Sequence, residues 1–260
     1  MNRIDAKFAK LKENGRKALI TYITAGDPTP EKTEEAVYAM EKGGADIVEI
    51  GIPFSDPVAD GPVIQDAAQR ALEAGISVKR VFECVKNIRK KSEIPLLFLV
   101  YYTTIFSLGA ENFVKTCKEI GIDGLIIPDL PLEERAEFSK YLIDNQVHLI
   151  PLVAPTSKDR IESVLEGGNG FVYCISSLGV TGVRSEFHKG VYDFLKSVKE
   201  VSKIPIAVGF GISKRSDVEG FAPLVDGAIV GSAIVKNFHE SNGNAEILEK
   251  FVKDLKPENY

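Results

Sequence analysis

The chain has no tryptophan, two methionines, three cysteines and three histidines among its 260 residues. Each scarcity closes off a reading. Cys84, Cys117 and Cys174 are an odd number with no close pair. Neither a disulfide framework nor a zinc site is expected of them, and free thiols in a reducing cytoplasm are. His148, His188 and His239 are scattered and suggest neither a catalytic triad nor a metal cluster, so no metal is expected. Long apolar runs are missing too. The longest, IPLLFLV at 94–100, is far below the roughly 20 residues that span a bilayer. The N-terminal MNRIDAKFAKLKENGRKAL mixes acids with bases and lacks the apolar core of a secretory signal. An excess of basic charge is absent as well: 32 Lys and Arg stand against 37 Asp and Glu, a net −5. That argues against a general nucleic-acid binder but leaves room for a local phosphate-ester site.

What remains is a rhythm. With 44% apolar and 27% charged residues the composition is globular, and no linker, low-complexity run or composition break divides it. We expect a single domain over 1–260. Short β-branched runs at 18–24, 46–50, 95–100, 124–127, 148–153, 171–175, 205–209 and 228–230 alternate with charged segments of helical period at 31–42, 78–91, 111–120, 132–145, 158–166, 191–202 and 214–221. Two further helices flank them, at 3–12 and 245–255. Parallel pairing follows, because each return needs a crossover. Eight such units in about 250 residues fit a closed α/β (β/α)8 TIM barrel better than an open doubly wound sheet. An extra N-terminal helix would precede the barrel, and a short helix at 233–238 would follow strand 8. Gly43-Gly44, Gly121, Gly167-Gly168 and Gly227 fall just before strands, where helix C-caps turn over.

The second strand-to-strand interval is anomalous at 49 residues. It opens with GIPFSDPVADGPVIQ, too rich in Pro and Gly for a helix. A long loop on the face where barrel strands end is the usual home of an active site. Alternation in DIVEI puts Ile47 and Glu49 on one face and Val48 and Ile50 on the other. Helices must cover the outer face, so Glu49 belongs inside, where partial burial would raise its pKa toward neutrality for acid–base work. The alternatives are a solvated strand-end acid or a structural ion pair. Asp56 and Asp60 precede Pro57 and Gly61-Pro62, so each also reads as a turn former. Three successive strand ends carry small residues: Gly179 and Gly182, then Gly209, Gly211 and Ser213, then Gly231 and Ser232. Backbone N–H groups can approach an anion there, and barrels often bind phosphate after strands 7 and 8 with a short extra helix. Tight turns alone are the other explanation. Tyr173 has the parity of Phe171 and Ile175 and can point into the barrel top or simply pack. Tyr22, Leu99, Tyr101, Ile126 and Phe210 can wall a flat aromatic substrate or form ordinary core.

At VEIGIPFSDPVADGP the chain resembles the tryptophan synthase alpha subunit family. The likeness continues through ITAGDP at 23–28, PDLPLEE at 128–134, GVTG at 179–182, GFGIS at 209–213 and GSAIVK at 231–236. The resemblance implies cleavage of indole-3-glycerol phosphate to indole and glyceraldehyde 3-phosphate. Glu49 matches the family's acid–base carboxylate, Asp60 the carboxylate that holds the indole N–H, and Tyr173 a tyrosine beside the reacting centre. Gly182, Gly211, Gly231 and Ser232 match the phosphate cradle, and Thr181 a mobile-loop residue that orients Asp60. Leu99, Ile126 and Phe210 match the indole pocket, as does Tyr22, where many relatives have Phe. It further implies no cofactor on this chain, and a beta-subunit partner that carries pyridoxal phosphate and takes indole within an α2β2 assembly. Residues 53–60 and 130–132 would meet that partner. A stand-alone indole-releasing lyase, another phosphosugar barrel and a non-catalytic barrel that activates a partner are the competing readings.

Overall fold

The computed structural model describes residues 1–175, 184–209, 211–258 and 260. Thr181, Gly182 and Phe210 lie outside the described residues. Among the described residues nine strands form one sheet: β1 Ala18–Thr24, β2 Ile47–Gly51, β3 Leu96–Leu99, β4 Gly124–Ile126, β5 His148–Leu149, β6 Leu152–Val153, β7 Val172–Ile175, β8 Ile206–Gly209 and β9 Gly227–Val230. Every pairing is parallel, in the order β5-β4-β3-β2-β1-β9-β8-β7-β6. The two ends of that order are neighbours in the chain. The sequence predicts one strand over 148–153, but Pro151 has no N–H to give and splits it. The lower half pairs with β4, where the Ile150 N–H reaches the Leu125 carbonyl at 2.9 Å. The upper half pairs with β7, where the Tyr173 N–H reaches the Pro151 carbonyl at 2.9 Å. β5 and β6 are therefore one interrupted stave, and eight staves close the (β/α)8 barrel.

Strand parity sorts the core into two shells. Outward residues such as Val48, Ile50, Phe98, Leu125, Val172 and Cys174 pack under the helices. Inward residues Ala18, Ile20, Ile47, Leu97, Phe171 and Ile229 fill the barrel. The first helix, Arg3–Glu13, plugs the lower end. Asn2 caps it by accepting the Ile4 N–H at 2.9 Å, and Ile4, Phe8 and Leu11 at helical spacing join the inner shell. The Phe8 and Phe171 rings meet with centroids 5.6 Å apart. His148 and Asp5, 2.8 Å apart, tie the plug to the fifth stave. The three cysteines are buried free thiols, and burial pushes Cys84 and Cys174 up to about 12.

The lower rim repeats one device. An aspartate just before a stave accepts an N–H from the foot of its neighbour: Asp46 from Leu19 at 3.0 Å, Asp123 from Leu96 at 2.9 Å and Asp226 from Ile206 at 2.9 Å. Lys256 bonds Asp46 at 2.8 Å, while Arg3 and Arg89 bond Asp123 at 3.0 and 2.9 Å. Gly44 and Gly121 are left-handed C-caps as expected, at φ 106° and 87°. Gly227 is not a cap. It lies within β9, where a Cβ would press on Ala18 and Ala207 at 3.2–3.4 Å.

Two helical segments were not predicted, and the helix expected at 158–166 starts earlier and in another form. Helix Pro62–Glu73 occupies the second half of the anomalous interval, starting inside the stretch read as loop. Its proline stands in the first turn, where a missing N–H costs nothing. Helix Tyr102–Leu108 follows β3, with its first N–H held by Asp129 at 2.7 Å. A 3-10 turn, Pro155–Arg160, leads into the short helix Ile161–Leu165. After β9 the expected short helix runs Ser232–Glu240.

Candidate active site

The upper ends of the staves surround a cavity of about 100 Å³, lined by Tyr22, Asp60, Leu99, Ile126, Leu152 and Tyr173 among others. Larger clefts exist, one of about 780 Å³ beside the lower ends of β7 and β8, lined by Glu162, Glu200 and Lys203. It holds no buried titratable group without a partner. The small upper cavity has one beside its lining residue Tyr22.

That group is Glu49. In the β1–β2 ladder it stands opposite Tyr22, and paired residues point to the same side, so its carboxylate faces the barrel interior. It is 0% exposed, and neither carboxylate oxygen has a hydrogen-bond partner among the described residues. Burial alone pushes its pKa up to about 8. A neutral carboxylic acid at pH 7, close to its own titration point, can give a proton and take one back.

Asp60 hangs from the roof. It sits at the end of the 52–61 loop, two residues before helix Pro62–Glu73. Its Oδ2 accepts the Tyr101 hydroxyl at 3.0 Å, and that oxygen in turn accepts the Ala59 N–H at 3.1 Å. Its backbone carbonyl accepts from Gln65 Nε2 at 2.7 Å. Burial raises its pKa, and the Tyr101 hydrogen bond works against that shift. Asp60 is thus held by a distant tyrosine rather than turned back on its own backbone. The sequence offers Tyr101 only as a wall residue. Phe54 stacks on it at 5.0 Å.

Two tyrosines complete the site. Tyr22 is buried, with its hydroxyl 3.2 Å from Thr24 Oγ1. A Cβ at Gly51 would collide with that hydroxyl. The Tyr173 ring lies over Gly209, where a Cβ would stand 2.8 Å from it. Burial first, then the nearby Glu49 charge, raises the Tyr173 pKa. Gly51 and Gly209 therefore seat the two rings, a role that spacing does not announce. Leu152 is a lining residue missed from sequence, hidden by the proline that breaks its strand.

Of the four cradle residues, Gly211, Gly231 and Ser232 are described. Gly211 has φ +54° with nothing within 4 Å of where a Cβ would sit. Gly231 lines the cavity and precedes helix Ser232–Glu240, whose first turn has no side-chain cap. Its free N–H groups and positive dipole end suit an anion. On the same rim Val58 is 80% and Phe106 75% exposed. Leu130, expected at that rim, is instead buried in the outer shell. Among the described residues no group of three or more His, Cys, Asp or Glu is arranged to hold a metal ion, and no helix is long and apolar enough to cross a membrane.

The upper ends of the staves thus bring together a buried acid, a carboxylate held by Tyr101 and the glycine that precedes helix Ser232–Glu240. Comparison with known proteins gives the family that the motifs resemble. The family model "Tryptophan synthase alpha chain" matches residues 8–258. The tryptophan synthase alpha chain of Clostridium kluyveri is 50% identical over 259 residues, covering 98% of each chain. That of Thermoanaerobacter sp. (strain X514) is 49% identical, covering 98% of this chain and 99% of its own. Among solved structures, the alpha subunit from Legionella pneumophila superposes with a TM-score of 0.89 at 35% identity, covering 98% of this chain and 97% of that one. A chain of the tryptophan synthase a2b2 complex from Pyrococcus furiosus gives 0.87 at 37% identity, covering 92% and 98%. Motifs, barrel and full-length matches agree, and the chain belongs to the tryptophan synthase alpha chain family.

Proposed function

We propose that this chain cleaves indole-3-glycerol phosphate to indole and glyceraldehyde 3-phosphate, as the alpha subunit of a tryptophan synthase. The observation that carries the reading is Glu49: a fully buried carboxyl without a hydrogen-bond partner among the described residues, paired across the ladder with Tyr22, which lines the same cavity as Asp60. In this reading the neutral Glu49 protonates indole C3, which turns the ring into a cationic electron sink. Asp60, ionised and held by Tyr101, takes the indole N–H and stabilises the positive ring. The Glu49 carboxylate then removes the proton from the hydroxyl on the carbon attached to the ring. The O–H pair becomes the aldehyde C=O, and the pair of the breaking C–C bond returns to the ring and restores neutral indole. Glu49 regains its proton, so the cycle balances with no cofactor on this chain. Tyr173 packs beside the reacting carbons, while Tyr22, Leu99, Ile126 and Phe210 enclose the ring. Gly182, Gly211, Gly231 and Ser232 receive the phosphate, and Thr181 orients Asp60.

We further propose that the rim bearing Val58 and Phe106 docks a tryptophan synthase beta subunit in an α2β2 assembly and passes indole to it. Two exposed apolar side chains beside the site support this. So does the likeness to a chain of the Pyrococcus furiosus complex. The pyridoxal phosphate of the overall synthesis belongs to that partner. Three buried free thiols fit a cytoplasmic setting.

The test is indole release from indole-3-glycerol phosphate by the purified chain, with and without a beta subunit. Slow release that the partner stimulates is the expected result. Fast unassisted release would indicate a stand-alone lyase, and none in either condition, with the chain folded, would sink the reading. The cradle has its own test. Gly211→Asp places a side chain in the left-handed region and an anion beside an anion, so affinity for phosphate-ester ligands should fall by about 10-fold or more. Titration with 3-(indol-3-yl)propyl phosphate reads this, and unchanged affinity removes that loop from the cradle.

A further inference from the structure

Helix Pro62–Glu73 carries Asp60 just before its first residue and Ile64, another lining residue, in its first turn. Very little holds this helix down. Its fully buried positions are Ala67, Ala68 and Ala71, whereas the next helix, Val78–Arg89, buries Val81, Cys84, Val85 and Ile88. Larger apolar side chains, Val63 and Ile64, pack against Tyr22 and Val235 only in its first turn; beyond it the face of methyl groups has no large side chain to lock into a groove and fixes the rest of the helix poorly. The N-terminal end has no side-chain cap either.

One directional contact supplies what the alanines cannot. Arg70 Nε and a terminal guanidinium nitrogen donate to the two oxygens of Asp27 at 3.0 and 2.7 Å. Asp27 lies in the turn after β1 and is only 5% exposed, so removing this partner would leave a buried carboxylate unpaired by it. A two-pronged bond sets distance and orientation together. The ends of the helix are thus controlled separately: Tyr101 and Gln65 hold Asp60 at the start, and Asp27 grips Arg70 near the finish.

We infer that Arg70 is a positioning residue for the proposed reaction, its grip on Asp27 setting the seat of the helix and with it the place of Asp60 over the cavity. The effect on turnover rests on the role proposed for Asp60; the seating of the helix does not. Arg70→Met keeps the length of the side chain without the fork, and Arg70→Lys keeps the charge without it. Both are expected to lower kcat about 30-fold with KM within about threefold, the pattern of a group misplaced in the transition state. A 3-fluorotyrosine at position 101 should show a shifted ¹⁹F resonance in both variants, because its partner Asp60 has moved. In Arg70→Ala, millimolar guanidinium should restore part of kcat and return the resonance toward that of the parent. A kcat within twofold of the parent with an unmoved resonance overturns the inference. So does a loss that only follows the folded fraction, without rescue. If Arg70→Met does not fold, Arg70→Lys carries the same readouts. A parent chain that releases no indole defeats the reaction reading instead, and the resonance alone then decides whether Arg70 seats the helix.

Discussion

Glu49→Gln is expected to lower kcat for indole-3-glycerol phosphate cleavage by about 10²–10⁴-fold while changing KM little, the range for loss of a positioned acid–base group. The amide fills the same space but can neither give a proton to carbon nor take one from oxygen. Retained turnover would remove Glu49 from proton transfer. The same variant should be more stable than its parent. In the folded chain Glu49 titrates near 8, against an ordinary 4.5. Between those values the folded state holds a proton that the unfolded state has lost, so rising pH favours unfolding. The penalty starts above about 4.5 and is complete above about 8. Gln carries none of it, so the gain in urea midpoint over the parent should grow from pH 5 to pH 8. Equal gains at both values would show that Glu49 is not held neutral. In the parent, kcat/KM should fall as pH rises through about 8, because the form that donates to carbon is then depleted.

Asp123→Ala should cost about 3–5 kcal/mol of stability, the range for breaking a buried charge pair from one side. Its carboxylate is 5% exposed and serves three donors: Arg3, Arg89 and the Leu96 N–H. Arg89, 10% exposed, keeps its bonds to the Gly121 and Ile94 carbonyls but loses its only close carboxylate among the described residues. The Leu96 N–H, at the foot of β3, loses its side-chain acceptor. Urea unfolding with an unchanged slope is the measurement, and a loss below about 1 kcal/mol would deny the lower-rim aspartates their role. Because Asp123 lies at the opposite end of the barrel from the cavity, kcat of the folded fraction should stay within about twofold.

These two residues also mark how far the sequence reaches. Glu49 was legible because a strand has a period of two and a barrel has only one face that helices leave uncovered. The same rule placed Phe171 and Tyr173 inward, and alternation of apolar and charged runs gave seven of the staves nearly to the residue. What was hidden depends on contacts between distant positions or on rules that proline bends. Pro151 broke a run that otherwise reads as a strand, and Pro62 disguised a helix start as more loop. Helix Tyr102–Leu108 is rich in Thr, Ile and aromatic residues and looks like a strand tail; Asp129, 27 residues away, holds its first N–H. The bond from Tyr101 to Asp60 spans 41 residues, and no local pattern encodes it. The resemblance set Leu130 at the rim, and the fold buries it in the outer shell instead.

The interrupted fifth stave gives the barrel a seam. Elsewhere around the ring each stave is zipped to both neighbours along its length. Here one neighbour is met by the lower half and the other by the upper half, and residues 150–151 join them through covalent bonds rather than a continuous ladder. The hoop is closed like a lock washer, its two edges offset and bridged by a short step. A break in the backbone at that step would unroll the wall into a sheet with two bare margins, each seeking the other. A break in any surface loop would leave the hoop whole.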